Sequence, residues 1–114
     1  MKVTAIVTSP RAGGNCDVLT DEAIRGAEEN GAEVKKYFVQ DLEVNPCQAC
    51  GGCGDGIDCV YDDDMADILQ DILDSDAVIF ASPIYFGTIN AQAKAVIDRF
   101  ERVVEQYAKL IEDK

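Results

Sequence analysis

The sequence predicts an α/β fold in which a parallel sheet carries helices on both faces. Short β-prone runs alternate with helical periodicities in the order β-α-β-loop-α-β-α, which is the pattern of crossover helices over a parallel sheet. The 114 residues, 47% of them hydrophobic, are enough for one domain with a single core. We therefore expect one domain over residues 1–114, with a cysteine-rich insertion loop at about 45–61.

The first β-α-β unit is predicted from its apolar pattern and its turn residues. A β-prone run over 3–7 ends at Ser9-Pro10, and a helical stretch over 16–30 stops at Asn30-Gly31. A second strand is expected over 33–39. Its two lysines, Lys35 and Lys36, favour an outer position in the sheet.

The second half contains the remaining three elements. Asp62-Asp63-Asp64 is expected to start a helix, because acidic groups stabilise a helix N-terminus. The continuous apolar run Ala77–Ala81 predicts a strand covered on both faces, followed by a loop over 82–88. Asn90 is expected to cap a helix of up to 24 residues that runs to the C-terminus.

Composition excludes several classes of function. The chain has no histidine, so it has no Ser-His-Asp or Cys-His nucleophile and no histidine metal ligand. Its net charge of -12 disfavours nucleic acid and anionic lipid as partners. With no apolar run near the roughly 20 residues that span a bilayer, we expect a cytoplasmic protein without a membrane partner.

Two loops follow predicted strands and should meet at the carboxyl edge of the sheet. In the first, Ser9, Arg11 and Asn15 beside two glycines favour a phosphate, although an ordinary strand-to-helix connection is the alternative. Cys16, at the same helix start, is either a reactive thiol or, as we prefer, a small packed residue.

The second loop places two aromatics beside a glycine. It could form a planar slot for a ring system, or it could simply cover the end of the sheet. Its candidate residues are Pro83, Ile84, Tyr85, Phe86 and Gly87.

Four of the five cysteines form a C-x2-C-x2-C-x5-C pattern, made by Cys47, Cys50, Cys53 and Cys59. Thiolates in such a compact loop favour an iron–sulfur cluster. Structural zinc more often uses two separated C-x2-C pairs, so zinc is less favoured, as are unmetallated thiols.

Three segments occur in an order that is specific in combination: Ser9–Asn15, then the cysteine motif leading into Asp63-Asp64-Met65, then Ser82–Gly87 followed by Ala91-Gln92 and Ile97-Asp98-Arg99. Over roughly residues 1–100 they resemble the iron–sulfur flavoprotein branch of the NADPH-dependent FMN reductase family. The resemblance implies a flavodoxin-like fold, here truncated to about three strands in the order 2-1-3.

The resemblance also implies cofactors and their ligands. Ser9, Arg11 and Asn15 would hold the FMN phosphate, and Cys16 stands where relatives usually carry a hydroxyl. The loop from Pro83 to Gly87 would line the flavin. The four clustered cysteines would hold a [4Fe–4S] cluster.

On these grounds we expect a redox flavoprotein that moves electrons between an iron–sulfur cluster and FMN to an unidentified acceptor. One alternative is a metal- or cluster-binding carrier or interaction module without FMN. The other is an NAD(P)H-dependent FMN reductase with a structural metal. The expected partners are a small redox protein or NAD(P)H. An open apolar edge at Ala77–Ala81 further predicts a homodimer or a larger even assembly; the alternative is a fragment of a longer protein whose fourth and fifth strands would cover that edge.

Overall fold

The computed structural model describes residues 1–48 and 63–100. Its main sheet has three parallel strands: β1 (Lys2–Val7) lies between β2 (Glu33–Phe38) and β3 (Ala77–Ala81). Val3 of β1 is aligned with Val34 of β2 and Ala77 of β3. The predicted flavodoxin-like α/β class and strand order 2-1-3 are confirmed.

Three helices flank this sheet: α1 (Asn15–Glu29), α2 (Met65–Asp74) and α3 (Ala91–Asp98). Alternate residues of β1 face opposite sides, and both sides are buried, as Ala5 and Ile6 are. The core under α2 and α3 joins these two helices to the sheet, with buried members Ile6, Tyr37, Val39, Met65, Ile68, Leu69 and Val96. This core fixes both helices against the sheet and so positions the loops at its edge.

Two predictions about the second half are wrong. The helix after Asn90 ends at Asp98, where the amides of Arg99 and Phe100 close short turns on Val96 and Ile97 instead of continuing it. Residues 101–114, on which the rest of that prediction fell, lie outside the described residues. The segment predicted as a loop over 82–88 contains a hairpin, in which β4 (Ile84–Tyr85) pairs with β5 (Thr88–Ile89).

The strand β3 is not covered on both faces as the apolar run predicts. Its Val78 and Phe80 side chains are 44% and 36% exposed. Within the described residues, β3 pairs with β1 along one edge and has no partner strand along the other. The order 2-1-3 puts β3 at an outer position, although its continuous apolar sequence is typical of an inner strand. At an outer position, its side chains have neighbouring strand residues on one side only.

Among the residues that the structure describes, no helix is long and apolar enough to cross a membrane.

Candidate cofactor site at the carboxyl edge of the sheet

The carboxyl ends of β1 and β3 are joined by Thr8, which immediately follows β1. Its amide and its Oγ1 both donate to the Ala81 carbonyl, at 2.9 and 2.8 Å. Thr8 and Ser9 are buried, so the start of the first loop is fixed in place. The topology predicts that the two loops meet at one edge, and these bonds bring their first residues together.

Asn90 ties the two loops to the start of α3. Its buried amide nitrogen Nδ2 donates to the Thr8 carbonyl at 2.7 Å, and its Oδ1 accepts the Ala93 amide at 3.0 Å. Its backbone amide donates to Ser82 Oγ at 3.2 Å. The sequence predicts that Asn90 caps a helix. Its hydrogen bond to the Thr8 carbonyl spans 82 residues, so no local sequence pattern predicts that bond.

The first loop has the form of an anion cradle. Gly13 has a φ of +75°, and a Cβ on Gly14 would lie only 3.2 Å from the Arg11 carbonyl oxygen, so two glycines suit the turn. No side chain caps α1, which leaves the amides of its first turn available to a ligand. The Arg11 and Asn15 side chains are exposed beside this helix start. These residues fit a phosphate group.

One amide of the loop is already occupied. The Gly13 amide donates to Asp17 Oδ2 at 2.7 Å, and Lys36 Nζ pairs with the other oxygen of that carboxylate. The hydrogen bonds from Lys36 and Gly13 hold the pKa of Asp17 below its ordinary value. Lys36 thereby compensates an acidic group at a site proposed for an anion, a role that the sequence-based reasoning missed.

Cys16 lies in the first turn of α1 and is half-buried. Its carbonyl accepts the Thr20 hydroxyl at 2.7 Å. This placement is compatible with the packed residue that the sequence analysis prefers.

The hairpin β4–β5 presents apolar side chains after the carboxyl end of β3, at the same edge of the sheet as the first loop. Its two-residue turn, Phe86-Gly87, has positive φ at both positions, 53° and 80°. Phe86 is fully exposed, and Ile84 is 76% exposed. An aromatic residue held in a left-handed turn is strained, and such strain is concentrated at ligand sites. This exposed apolar surface suits contact with a flat ring, which would remove it from water.

The cysteine motif is only partly within the described residues. Cys47 is half-buried, whereas Cys50, Cys53 and Cys59 lie outside them. In residues 1–48 and 63–100, no three acidic or cysteine side chains come together as a metal site.

The residues that flank the cysteine segment, defined here as Cys47 to Cys59, are hydrogen-bonded to each other. Asp63 Oδ2 accepts the backbone amide and the Nδ2 of Asn45, both at 3.0 Å, and Arg99 Nη1 at 2.6 Å. Burial raises the pKa of Asp63, but the bonds from Arg99 and Asn45 outweigh it and hold the pKa below its ordinary value. Asp63 is therefore a buried carboxylate, and the sequence-based site residues include neither it nor Arg99.

Comparison with known proteins agrees with this geometry. The family model for NADPH-dependent FMN reductase matches residues 1–114. The chain belongs to that family. It is 44% identical over 99 residues to an iron-sulfur flavoprotein of Methanosarcina thermophila. Those residues are 87% of this chain and 52% of that protein.

Two further relatives of this FMN reductase family member carry the same description. An iron-sulfur flavoprotein of Archaeoglobus fulgidus is 40% identical over 99 residues, or 87% of this chain and 45% of that protein. One from Clostridioides difficile is 30% identical over 109 residues, or 93% of this chain and 48% of that protein. The predicted membership in the iron–sulfur flavoprotein branch is confirmed. The chain spans about half the length of these relatives.

Proposed function

We propose that the chain is the FMN- and cluster-binding part of a redox flavoprotein. The observation that carries this proposal is the shared edge of the sheet. There, Thr8 and Asn90 join an uncapped, glycine-lined helix start to a hairpin with exposed apolar side chains. Such an edge suits a ligand with a phosphate at one end and a flat ring at the other.

The residues at this edge would bind and orient FMN. The Ser9 hydroxyl, the Arg11 guanidinium and the Asn15 amide would hold phosphate together with the first-turn amides of α1. The hairpin turn at Phe86 would shield one side of the ring from water. Bound FMN would supply the redox chemistry, so no acid or base is required of a chain that lacks histidine.

Four cysteines would hold the second cofactor, which we propose to be a [4Fe–4S] cluster. The donor set of four thiolates suits iron–sulfur chemistry, and the names of the relatives support it. Electrons would pass between this cluster and FMN, with a small redox protein or NAD(P)H as the exchange partner.

Anaerobic purification tests both cofactors at once. We expect the two absorption bands of an oxidised flavin, a broad thiolate-to-iron absorption and about four iron atoms per chain. FMN with zinc instead of iron would support the simple FMN reductase. Iron without flavin would support the carrier module, and a colourless protein containing zinc would contradict the proposal.

We further propose that a second copy of the chain covers the exposed edge of β3. Val78 and Phe80 leave an apolar surface there that soluble proteins cover. Sedimentation equilibrium of the cofactor-loaded protein should give a dimer or a larger even assembly. A 12.4 kDa species that retains its cofactors would contradict this assembly.

A further inference from the structure

The most deeply buried ion pair that the structure describes lies at the end of α3 away from the phosphate loop. Arg99 Nη1 and Asp63 Oδ2 are 2.6 Å apart, and their side chains are 3% and 1% exposed. They are separated by 36 residues in the sequence. The same Nη1 also donates to the Asn45 carbonyl at 3.0 Å.

This pair lies between the two chain segments that flank the cysteine segment. Asn45 precedes Cys47 by two residues, and Asp63 follows Cys59 by four. A second pair of bonds reinforces the junction, since the Asp64 amide donates to the Glu43 carbonyl at 2.9 Å and the Glu43 amide donates to Asp64 Oδ2 at 2.7 Å. The two chain segments that flank the cysteine segment are therefore fixed to each other, and Arg99 ties them to the end of α3.

General stability is a weak explanation for this arrangement. Burying two charges costs desolvation free energy that their attraction often fails to recover, and apolar pairs of similar volume stabilise as well or better. A buried ion pair does, however, define position, because both partners must reach the same place to be satisfied. Where the segment between the ends carries four metal-ligating thiols, a defined position matters.

We propose that Arg99 and Asp63 are positioning residues for metal binding: their buried pair holds together the two chain segments that flank the cysteine segment, and this favours the convergence of its thiols on a metal. This inference rests on the proposed cluster function. Flanking segments that are already joined reduce the conformational entropy that the cysteine segment loses when its thiols converge on a metal.

Titration of the reduced 114-residue chain with Co²⁺ tests the proposal, with thiolate-to-cobalt absorption as the readout. We expect Arg99→Met to weaken Co²⁺ binding about 10- to 100-fold, the range found when groups that support metal ligands are removed. The matched control is Lys94→Met, which removes a cation of the same helix from an exposed pair with Asp98 and should leave the affinity unchanged. Circular dichroism at the same temperature establishes that each variant is folded.

The Asp63→Leu/Arg99→Met variant removes the pair without leaving a buried charge, so it stays folded if Arg99→Met does not. It should also bind Co²⁺ more weakly. Wild-type affinity in either folded variant would overturn the positioning role while leaving the cluster proposal intact. Absence of thiolate-to-cobalt absorption in the wild-type chain would instead overturn the cluster proposal, and the positioning role with it.

Discussion

Each end of α3 holds distant chain segments together through one buried side chain, but the two ends use different chemistry. At its start, the neutral side chain of Asn90 donates to the Thr8 carbonyl and accepts from the Ser82 hydroxyl and the Ala93 amide. At its end, the charged side chain of Arg99 joins Asn45 and Asp63. Each residue is buried, and each fastens the beginning of a segment to which we assign a cofactor.

The difference in chemistry is related to what each end must fasten. Asn90 meets backbone groups and a hydroxyl, for which one amide supplies both donor and acceptor. Arg99 meets a carboxylate that already accepts two bonds from Asn45, so only a cation can balance its charge. Because α3 is a short rigid element, the two junctions stay at a fixed separation.

The largest expected effect breaks the charged end. Arg99→Met should reduce the free energy of unfolding by about 3–5 kcal/mol, because it leaves Asp63 buried without its partner. Lys94→Met, the exposed control on the same helix, should cost at most about 1 kcal/mol. Urea unfolding of the two variants measures the difference, and equal losses would show that Asp63 is compensated in another way.

The neutral end should be the less costly to break. Asn90→Ala removes both a helix cap and the donor to the Thr8 carbonyl, and we expect a loss of about 2 kcal/mol in unfolding free energy. Asn90→Asp keeps an acceptor for the Ala93 amide but places a carboxylate oxygen against that carbonyl. If the aspartate variant is as stable as wild type in urea unfolding, the bond to Thr8 contributes nothing.

Both junctions mark the limit of what local sequence predicts. The three strands follow from periodicity, and the order 2-1-3 follows from the resemblance to a flavodoxin-like family. The partners of Asn90 and Arg99 do not, because they lie 82 and 36 residues away. The extended helix after Asn90 is wrong as well: its apolar stripe continues past Asp98 in the sequence, but the amides of Arg99 and Phe100 turn back to the carbonyls of Val96 and Ile97.

The hairpin illustrates a second limit. Its strands are two residues each, and their turn carries Phe-Gly where a two-residue hairpin favours Asn-Gly. The aromatic residues at 85 and 86 therefore indicate a ligand loop, and they give no indication of a turn. Among the candidate site residues, those of the first loop and the hairpin are placed at one edge as predicted, whereas three of the four cysteines lie outside the described residues.

A smaller effect tests whether the two cofactor sites are separable. Asn15→Ala should weaken FMN binding by about 1–2 kcal/mol, because it removes one charge-assisted hydrogen bond to phosphate. The iron content of the Asn15→Ala variant should not change.

Cys53→Ser should abolish the cluster and leave FMN bound, as measured by flavin fluorescence and iron analysis. Loss of both cofactors in both variants would mean that the two sites form a single coupled folding unit.

The smallest expected effect concerns Phe86 of the hairpin, which we expect to lower the stability of the apoprotein but to favour FMN binding. Phe86 adopts a φ of 53°, which costs a side chain other than glycine or asparagine about 1–2 kcal/mol. Because Phe86 is fully exposed, it recovers none of this cost by burial in the chain. Phe86→Asn places the favoured Asn-Gly pair in the turn and should raise the free energy of unfolding of the apoprotein by about 1 kcal/mol.

The Phe86→Asn variant should also bind FMN more weakly, because it removes the aromatic surface that we assign to the flavin. Tyr85→Asn, at the neighbouring strand position, is the control that removes an aromatic ring without relieving strain. If Phe86→Asn stabilises the apoprotein and binds FMN as tightly as wild type does, the strained phenylalanine has another purpose than shielding the flavin.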